Sequence, residues 1–282
     1  MEVRIKSWME PIPEPMELVF TLRIPNDVSR LMRFISSVYV SSLPSVLILV
    51  EDTIPYLAPN SLPISCMVWN VQGAGSRTFI SALRDVTRNH KPNVFALVET
   101  HMGVQQAERI ASIVGYAGHT RMDAQGFSWG IWVYCKPKLV TVEPIIQHNQ
   151  HITMDIRRVG GDPWYFTALY ASPNQTKRSD LWREIKDFFA THNQLWMLAG
   201  DFNDTQFGYE QSTSCPETSR RAARFNEWVE DMNLLEFSGP NHTWARGNSM
   251  ATRTSARLDR ALCNGEWSLR FANAEARNLP AV

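Results

Sequence analysis

LAGDFND, Leu198 to Asp204, decides how this chain is read. A short apolar run passes through Gly200 and then delivers Asp201, Phe202, Asn203 and Asp204. A buried strand thus ends in two acids and an amide. In an extended chain, residues two apart share a side. Asp201 and Asn203 are therefore expected to point together, with Phe202 turned into the core.

Upstream, Cys66–Val71 reads as a strand and QGAGS as a tight loop. Phe79, Ile80, Leu83 and Val86 then recur at helical spacing, and the helix should stop before Pro92. Asn93–Thr100 is a second buried strand, ending near Glu99, and a helix over Val104–Val114 closes on Gly115. Phe127–Lys136, Leu139–Ile146, His151–Arg158 and Trp164–Pro173 follow as strand-like runs, expected to form one antiparallel meander. Ser179 or Asp180 should cap a helix carrying Leu181, Ile185 and Phe188. After the LWMLAG strand, a helix is expected from Thr218 to Met232, then short strands at His242–Ala245 and Ala256–Leu262. Two mixed sheets with helices between their strands predict an α/β fold: a four-layer α-β-β-α sandwich.

The bulk composition narrows the class without naming a function. The chain has 282 residues, 44% of them apolar, and 28 basic residues balance 28 acidic ones. That length can bury a large core, and zero net charge gives no global sign of a nucleic-acid partner. The six arginines between Arg246 and Arg277 form a local excess that suits either phosphates or a solvated surface. Cys66, Cys135, Cys215 and Cys263 form no CxxC pair, which argues against a zinc or disulfide framework and suits a reducing compartment. Leu31–Val50 is apolar but broken by Arg33, Pro44 and five serines. Its longest clean run falls far below the ~20 residues of a membrane helix. No membrane span is expected, and residues 1–65 read as a poorly structured N-terminal extension before a domain over 66–282.

Polar groups gather at the strand ends: Asn70, Glu99, the Asp201/Asn203 pair and Asp259. Carboxylates and amides are hard oxygen donors that suit Mg²⁺. Singly, each has a plainer reading as a turn or cap residue. Gly73 and Gly75 complete neither a dinucleotide-binding nor a Walker motif.

Taken in order, WNVQG, LVET, LYASP, LAGDFN and ARLDRAL resemble the endonuclease/exonuclease/phosphatase family from about Cys66 onward. TWARG followed by ARLDRALCNGEW is most similar to the nuclease domain of plant LINE-type non-LTR retrotransposons. The resemblance implies a divalent ion, Mg²⁺ or Mn²⁺, held by Glu99 with Asn70 beside it. It implies that Asp201 positions or deprotonates the attacking water, that Asn203 orients it, and that Tyr170 touches the phosphate. Arg178 and Trp244 become nucleic-acid contacts, and Asp259 orients a catalytic histidine. DNA is the implied partner, with no stable protein partner evident and a nuclear location if the target is chromosomal. The family's final Ser-Asp-His segment is expected after the last strand. The histidines are 90, 101, 119, 148, 151, 192 and 242, and none follows Asp259. The chain is therefore expected to be truncated before that motif, to lack its closing strand, and to turn over weakly. The alternatives are an inactive remnant that keeps metal or nucleic-acid binding, and a phosphatase on the same fold.

Overall fold

The computed structural model describes residues 47–51, 64–122, 130–158, 161–192, 194–213, 215–240, 242–247 and 253–279. Fourteen strands and five α-helices alternate along them. In order they are β1 (Leu47–Glu51), β2 (Ser65–Asn70), α1 (Arg77–His90), β3 (Val94–Val98), α2 (Val104–Val114), β4 (Gly118–Met122) and β5 (Ile131–Cys135). Then come β6 (Val140–His148), β7 (His151–Arg158), β8 (Trp164–Tyr170), α3 (Gln175–Thr191), β9 (Trp196–Asp201) and α4 (Pro216–Asp231). The last are β10 (Leu234–Glu236), β11 (Trp244–Arg246), β12 (Thr254–Ala256), β13 (Asp259–Asn264), α5 (Gly265–Arg270) and β14 (Glu275–Leu279).

The strands make two six-stranded sheets and a small β11–β12 hairpin; the sheet orders are β14-β1-β2-β3-β5-β4 and β10-β13-β9-β8-β7-β6. Side-chain alternation assigns the layers. Val94, Ala96 and Val98 of β3 join Met154, Phe166, Ala168 and Met197 in the core between the sheets. Their neighbours Phe95 and Leu97 face the other way, onto Phe79, Leu83 and Val86 of α1 and Ile110 of α2. On the second sheet, Leu169 and Leu198 face outward onto Trp182 and Ile185 of α3 and Phe225 and Trp228 of α4. Three apolar clusters separate four layers, the α-β-β-α sandwich expected from the sequence.

Each sheet holds one parallel pair bridged by a helix: β2–α1–β3 and β8–α3–β9. Parallel neighbours end on the same edge of their sheet. The carboxyl ends of β2, β3, β8 and β9 are where the sequence places Asn70, Glu99, Tyr170 and Asp201. Loops there have solvent in front and a rigid sheet behind.

Several expectations need correction. The four middle runs are not one meander. β5 is buried along its whole length and pairs with β3 inside the first sheet, whereas β6, β7 and β8 form the meander of the second. Helix α3 begins a turn earlier than Ser179, because the Asn174 side chain accepts from Lys177 N and caps it there. Within the segment read as an extension, Leu47–Glu51 is a strand, paired antiparallel with both β14 and β2. The apolar residues 31–46 lie outside the described residues, among which no helix is long and apolar enough to cross a membrane. The arginine-rich tail is largely neutralised within the fold: buried Arg257 and Arg260 pair with Glu210 and Glu236, and Arg270 with Asp162.

Candidate active site

A cavity of about 330 Å³ opens at the shared carboxyl edge, lined among others by Asn70, Glu99, Tyr170, Asp201, Asn203 and Trp244. Six of the residues singled out from sequence thus meet in one place. Asp259 is brought to the same spot by register, since it lies directly opposite Asp201 on the antiparallel β13–β9 pair.

Local backbone explains how they are aimed. Gly200 adopts φ +143°, and a Cβ there would collide with the Leu169 carbonyl of β8. Only glycine lets β8 and β9 close up behind Asp201. Asn203 then turns left-handed at φ +49°. Asp201 and Asn203 therefore meet through a turn, not along the extended chain expected from their spacing. Asn203 N donates to Asp201 Oδ1 at 2.9 Å, and Asn203 Nδ2 donates to the Ala171 carbonyl at 2.8 Å. Phe202 is fully buried, as expected. Across the pocket, the loops after β2 and β3 are tied together by Gly73 N to Glu99 O at 2.9 Å and Ala74 N to Thr100 O at 2.8 Å. Gln72 and Glu99 also hold positive φ, at 45° and 57°. Such φ values are costly for residues other than glycine and gather where a fold over-determines a site.

Asn70 joins the two halves. Its Nδ2 donates to Asp201 Oδ2 at 3.0 Å, while its Oδ1 accepts from Gln72 N at 3.1 Å. The Tyr170 hydroxyl hydrogen-bonds Glu99 and Asn203, and burial, with the charges of Glu99 and Asp201 behind it, pushes that phenol up.

The charge balance is unusual. Burial pushes the Asp201 carboxyl up to about 7; the Glu99 charge adds to this, and the Asn203 and Asn70 hydrogen bonds oppose it. Asp259 is raised well above the usual carboxylate range, by burial first and by the Asp201 charge next. Three carboxylates converge with too little positive charge to balance them. That environment attracts a cation, and its donors are the hard oxygens that Mg²⁺ and Mn²⁺ take.

Arg178, expected as a nucleic-acid contact, is turned into the fold and away from solvent. Its side chain is 1% exposed, its Nε and Nη2 fork onto Asp204 at 2.6 and 3.1 Å, and its Nη1 donates to the Ser172 carbonyl at 2.6 Å. Every nitrogen is engaged, so it clamps the turn beneath Asn203. Two residues the sequence reading passed over stand nearer the chemistry. Arg221 of α4 lines the pocket and is the one lysine or arginine among the described lining residues; it donates to Asp204 Oδ1 and the Asn203 carbonyl, both at 3.0 Å. His101, at φ +53°, places Nε2 3.3 Å from Glu99 Oε1. It lies two residues past Glu99, so its signal was present in LVETH. Arg221 had none, because tertiary packing alone brings α4 over the pocket.

No histidine lines the pocket among the described residues. His148 and His151 meet Glu184 elsewhere, with His148 Nε2 3.8 Å from Glu184 Oε2. Gln150 N donates to His148 Nδ1 at 3.3 Å, which fixes the neutral ring's proton on the Nε2 facing Glu184. The ligand atoms of His148, His151 and Glu184 lie within 4.8 Å of one another, so these three form a second group, away from the pocket, whose geometry could hold a metal ion.

Two mixed sheets packed face to face between helices, with acids and amides converging at the parallel strand ends, define a four-layer α/β class. Residues 67–276 match the model of the endonuclease/exonuclease/phosphatase family, and the chain belongs to that family. No curated protein matches it. Among solved structures it is similar to the endonuclease domain of TRAS1, a telomere-specific non-LTR retrotransposon, with 15% identity, a TM-score of 0.51, and 68% of this chain and 81% of that one covered. It is also similar to the AP endonuclease LMAP from Leishmania major, with 15% identity, a TM-score of 0.54, and 70% and 78% covered. The 3' phosphatase NExo from Neisseria, bound to a product DNA hairpin, gives 13% identity, a TM-score of 0.50, and 71% and 86% covered. At these identities the likeness establishes the fold.

Proposed function

We propose that this pocket hydrolyses DNA phosphodiesters with a divalent cation, Mg²⁺ or Mn²⁺, and that the chain is a DNA-nicking endonuclease of retrotransposon origin. The observation that carries the reading is the convergence of Glu99, Asp201 and Asp259 with Asn70, Asn203 and Tyr170 at one strand edge. The donor set fits a hard cation on Glu99 and Asn70, which when bound supplies charge neutralisation at the phosphate. The rest falls to the side chains. Asp201, in its ionised form, accepts the proton of the attacking water, a contribution of roughly 10²–10⁴-fold. Asn203, pinned by Ala171 and Asp201, orients that water. The Tyr170 hydroxyl and Arg221 face the phosphate oxygens, and Trp244 at the rim offers an aromatic face to the nucleic acid.

The retrotransposon assignment is supported by the TWARG and RLDRAL segments and by the TRAS1 likeness in fold. The order of the histidines, none of which follows Asp259, supports slow turnover. Supercoiled plasmid in Mg²⁺ or Mn²⁺, against EDTA, tests the reading, with Asp201→Ala as control. Nicking that needs the metal and disappears with Asp201→Ala is expected. Release of phosphate from 3'-phosphorylated ends without nicking would instead establish a phosphatase.

A further inference from the structure

Phe207 and Tyr209 stand on the loop between β9 and α4. Thr205 before them and Gln211 after them both line the pocket, so the loop leaves and re-enters its rim. The two rings stack on each other, with centroids 5.4 Å apart and planes 11° from parallel. They are nonetheless open to solvent, Phe207 at 38% and Tyr209 at 65% exposure.

The segment beneath them is unusually constrained. Glu210 is fully buried. Its carboxylate accepts from Gln206 N at 2.6 Å and Phe207 N at 3.1 Å, and it is forked by the Arg260 guanidinium. The Glu210 carbonyl accepts from Arg257 N at 2.8 Å, and Ser212 N donates to the Ser255 carbonyl at 2.9 Å. Gln206 Nε2 reaches Asn226 of α4 at 2.8 Å. A buried carboxylate and two backbone ties thus fix the base of a loop whose tip is two aromatic faces. Neither ring belongs to the three apolar clusters of the core, and holding them fixed lowers the entropy lost when a flat partner docks.

Charge indicates what the partner is. Helix α4 begins immediately after the loop; Thr218 and Arg221 face the pocket, and Arg220 and Arg224 lie exposed one turn apart beside them. Two aromatic faces on this loop, followed by arginines on the next helix at the mouth of the pocket, suit a strand that carries both bases and phosphates. A base-paired duplex buries its base faces in its own stack, so the matching ligand carries unpaired bases.

We propose that Phe207 and Tyr209 form a stacking platform for unpaired nucleobases of the strand held in the pocket, with Arg220 and Arg224 on the adjoining phosphates. The proposal rests on the nucleic-acid reading above and adds a preference for single-stranded or frayed DNA. The test is binding by the full chain in Ca²⁺, which limits turnover. Two probes of equal length, about 12 nucleotides, are compared by fluorescence anisotropy: a single-stranded oligonucleotide, and a fully abasic deoxyribose-phosphate chain. The wild-type protein is expected to prefer the base-bearing strand roughly tenfold, the loss typical of one removed base–aromatic stack. Tyr209→Ala with Phe207→Ala should erase that preference, and Tyr209→Trp should preserve it. Binding of both probes with equal affinity by the wild-type chain would overturn the platform and leave the phosphodiester reading standing. A preference that survives the double alanine variant would also overturn it. Failure to bind either probe would overturn the platform and the nucleic-acid reading together.

Discussion

Asp201 and Asp259 face each other across two strands in a setting that resists their ionisation. For Asp201 the consequence can be signed. Its folded value of about 7 lies above its ordinary 3.8, so between those values the folded state binds the proton more tightly than the unfolded chain. Its contribution is fully present below about pH 4 and is lost as pH rises through about 7. Metal-free protein is therefore expected to lose stability across that window. Asp201→Asn keeps an acceptor for Asn203 N but sets an amide donor against Asn70 Nδ2, so its expected signature is a flatter pH dependence: wild type should lose roughly 2–4 kcal/mol more than the variant between pH 4 and pH 8. Melting in EDTA across the pH range checks this; equal slopes for both proteins would show that Asp201 is ionised without strain. Arg178 makes the opposite case. Removing it strands most of a buried carboxylate, with only Arg221 left on Asp204. Arg178→Ala should cost about 3 kcal/mol in urea unfolding. A stable Arg178→Ala protein with weakened DNA affinity would return Arg178 to the role the sequence suggested. Asn70, Glu99, Asp201 and Asp259 were legible because each is tied by the chain to a strand end. The burial of Arg178 was not, because it depends on Asp204 folding back over α3. Nor was Arg221, which reaches the pocket from a distant helix.

At the scale of elements, burial sorts what the sequence shows from what it hides. β2, β3, β5 and β9 are buried throughout and announce themselves as apolar runs. β4, with the sequence GHTRM, lies at the sheet edge and has no such run. β14, with the sequence EARNL, is mostly polar and carries no apolar run either. β1 was hidden differently: its apolar residues raised a membrane question, and its partner β14 is over two hundred residues away. The ladder makes a specific claim about the segment called an extension. β1 lies between β14 and β2, and deleting residues 1–51 leaves β2 with an unpaired edge and β14 without its partner strand. The shortened chain is expected to melt lower and to self-associate, read by thermal unfolding and light scattering. An unchanged melting point in a monomeric product would make β1 dispensable and restore the domain start near Cys66.

For the whole molecule, the pocket's stored repulsion and its proposed cation are two sides of one balance. Four layers position the carboxyl ends of two parallel strand pairs against each other, and no single layer contains the site. Glu99 rides on the first sheet, while Asp201 and Asp259 ride on the second. A cation on Glu99 and Asn70 of the first sheet would neutralise the carboxylates that the second sheet sets opposite them. A ligand that binds the folded state alone stabilises it by RT ln(1 + [L]/Kd), about 2.7 kcal/mol at a hundredfold excess over Kd. For a chain of this size that corresponds to a rise of roughly 5–10 °C in melting temperature. Mg²⁺ or Mn²⁺ should produce that rise in wild type at pH 8, and should flatten the stability loss between pH 4 and 7 by favouring ionised Asp201. Glu99→Gln should abolish the rise, because it removes the charge on the first sheet without disturbing the core. His148→Ala should leave it intact, since that histidine pairs with Glu184 away from the pocket. If metal stabilisation survives Glu99→Gln and vanishes with His148→Ala, the cation belongs to the His148–Glu184 pair. The carboxylates of the pocket would then be poised for chemistry that the metal does not assist.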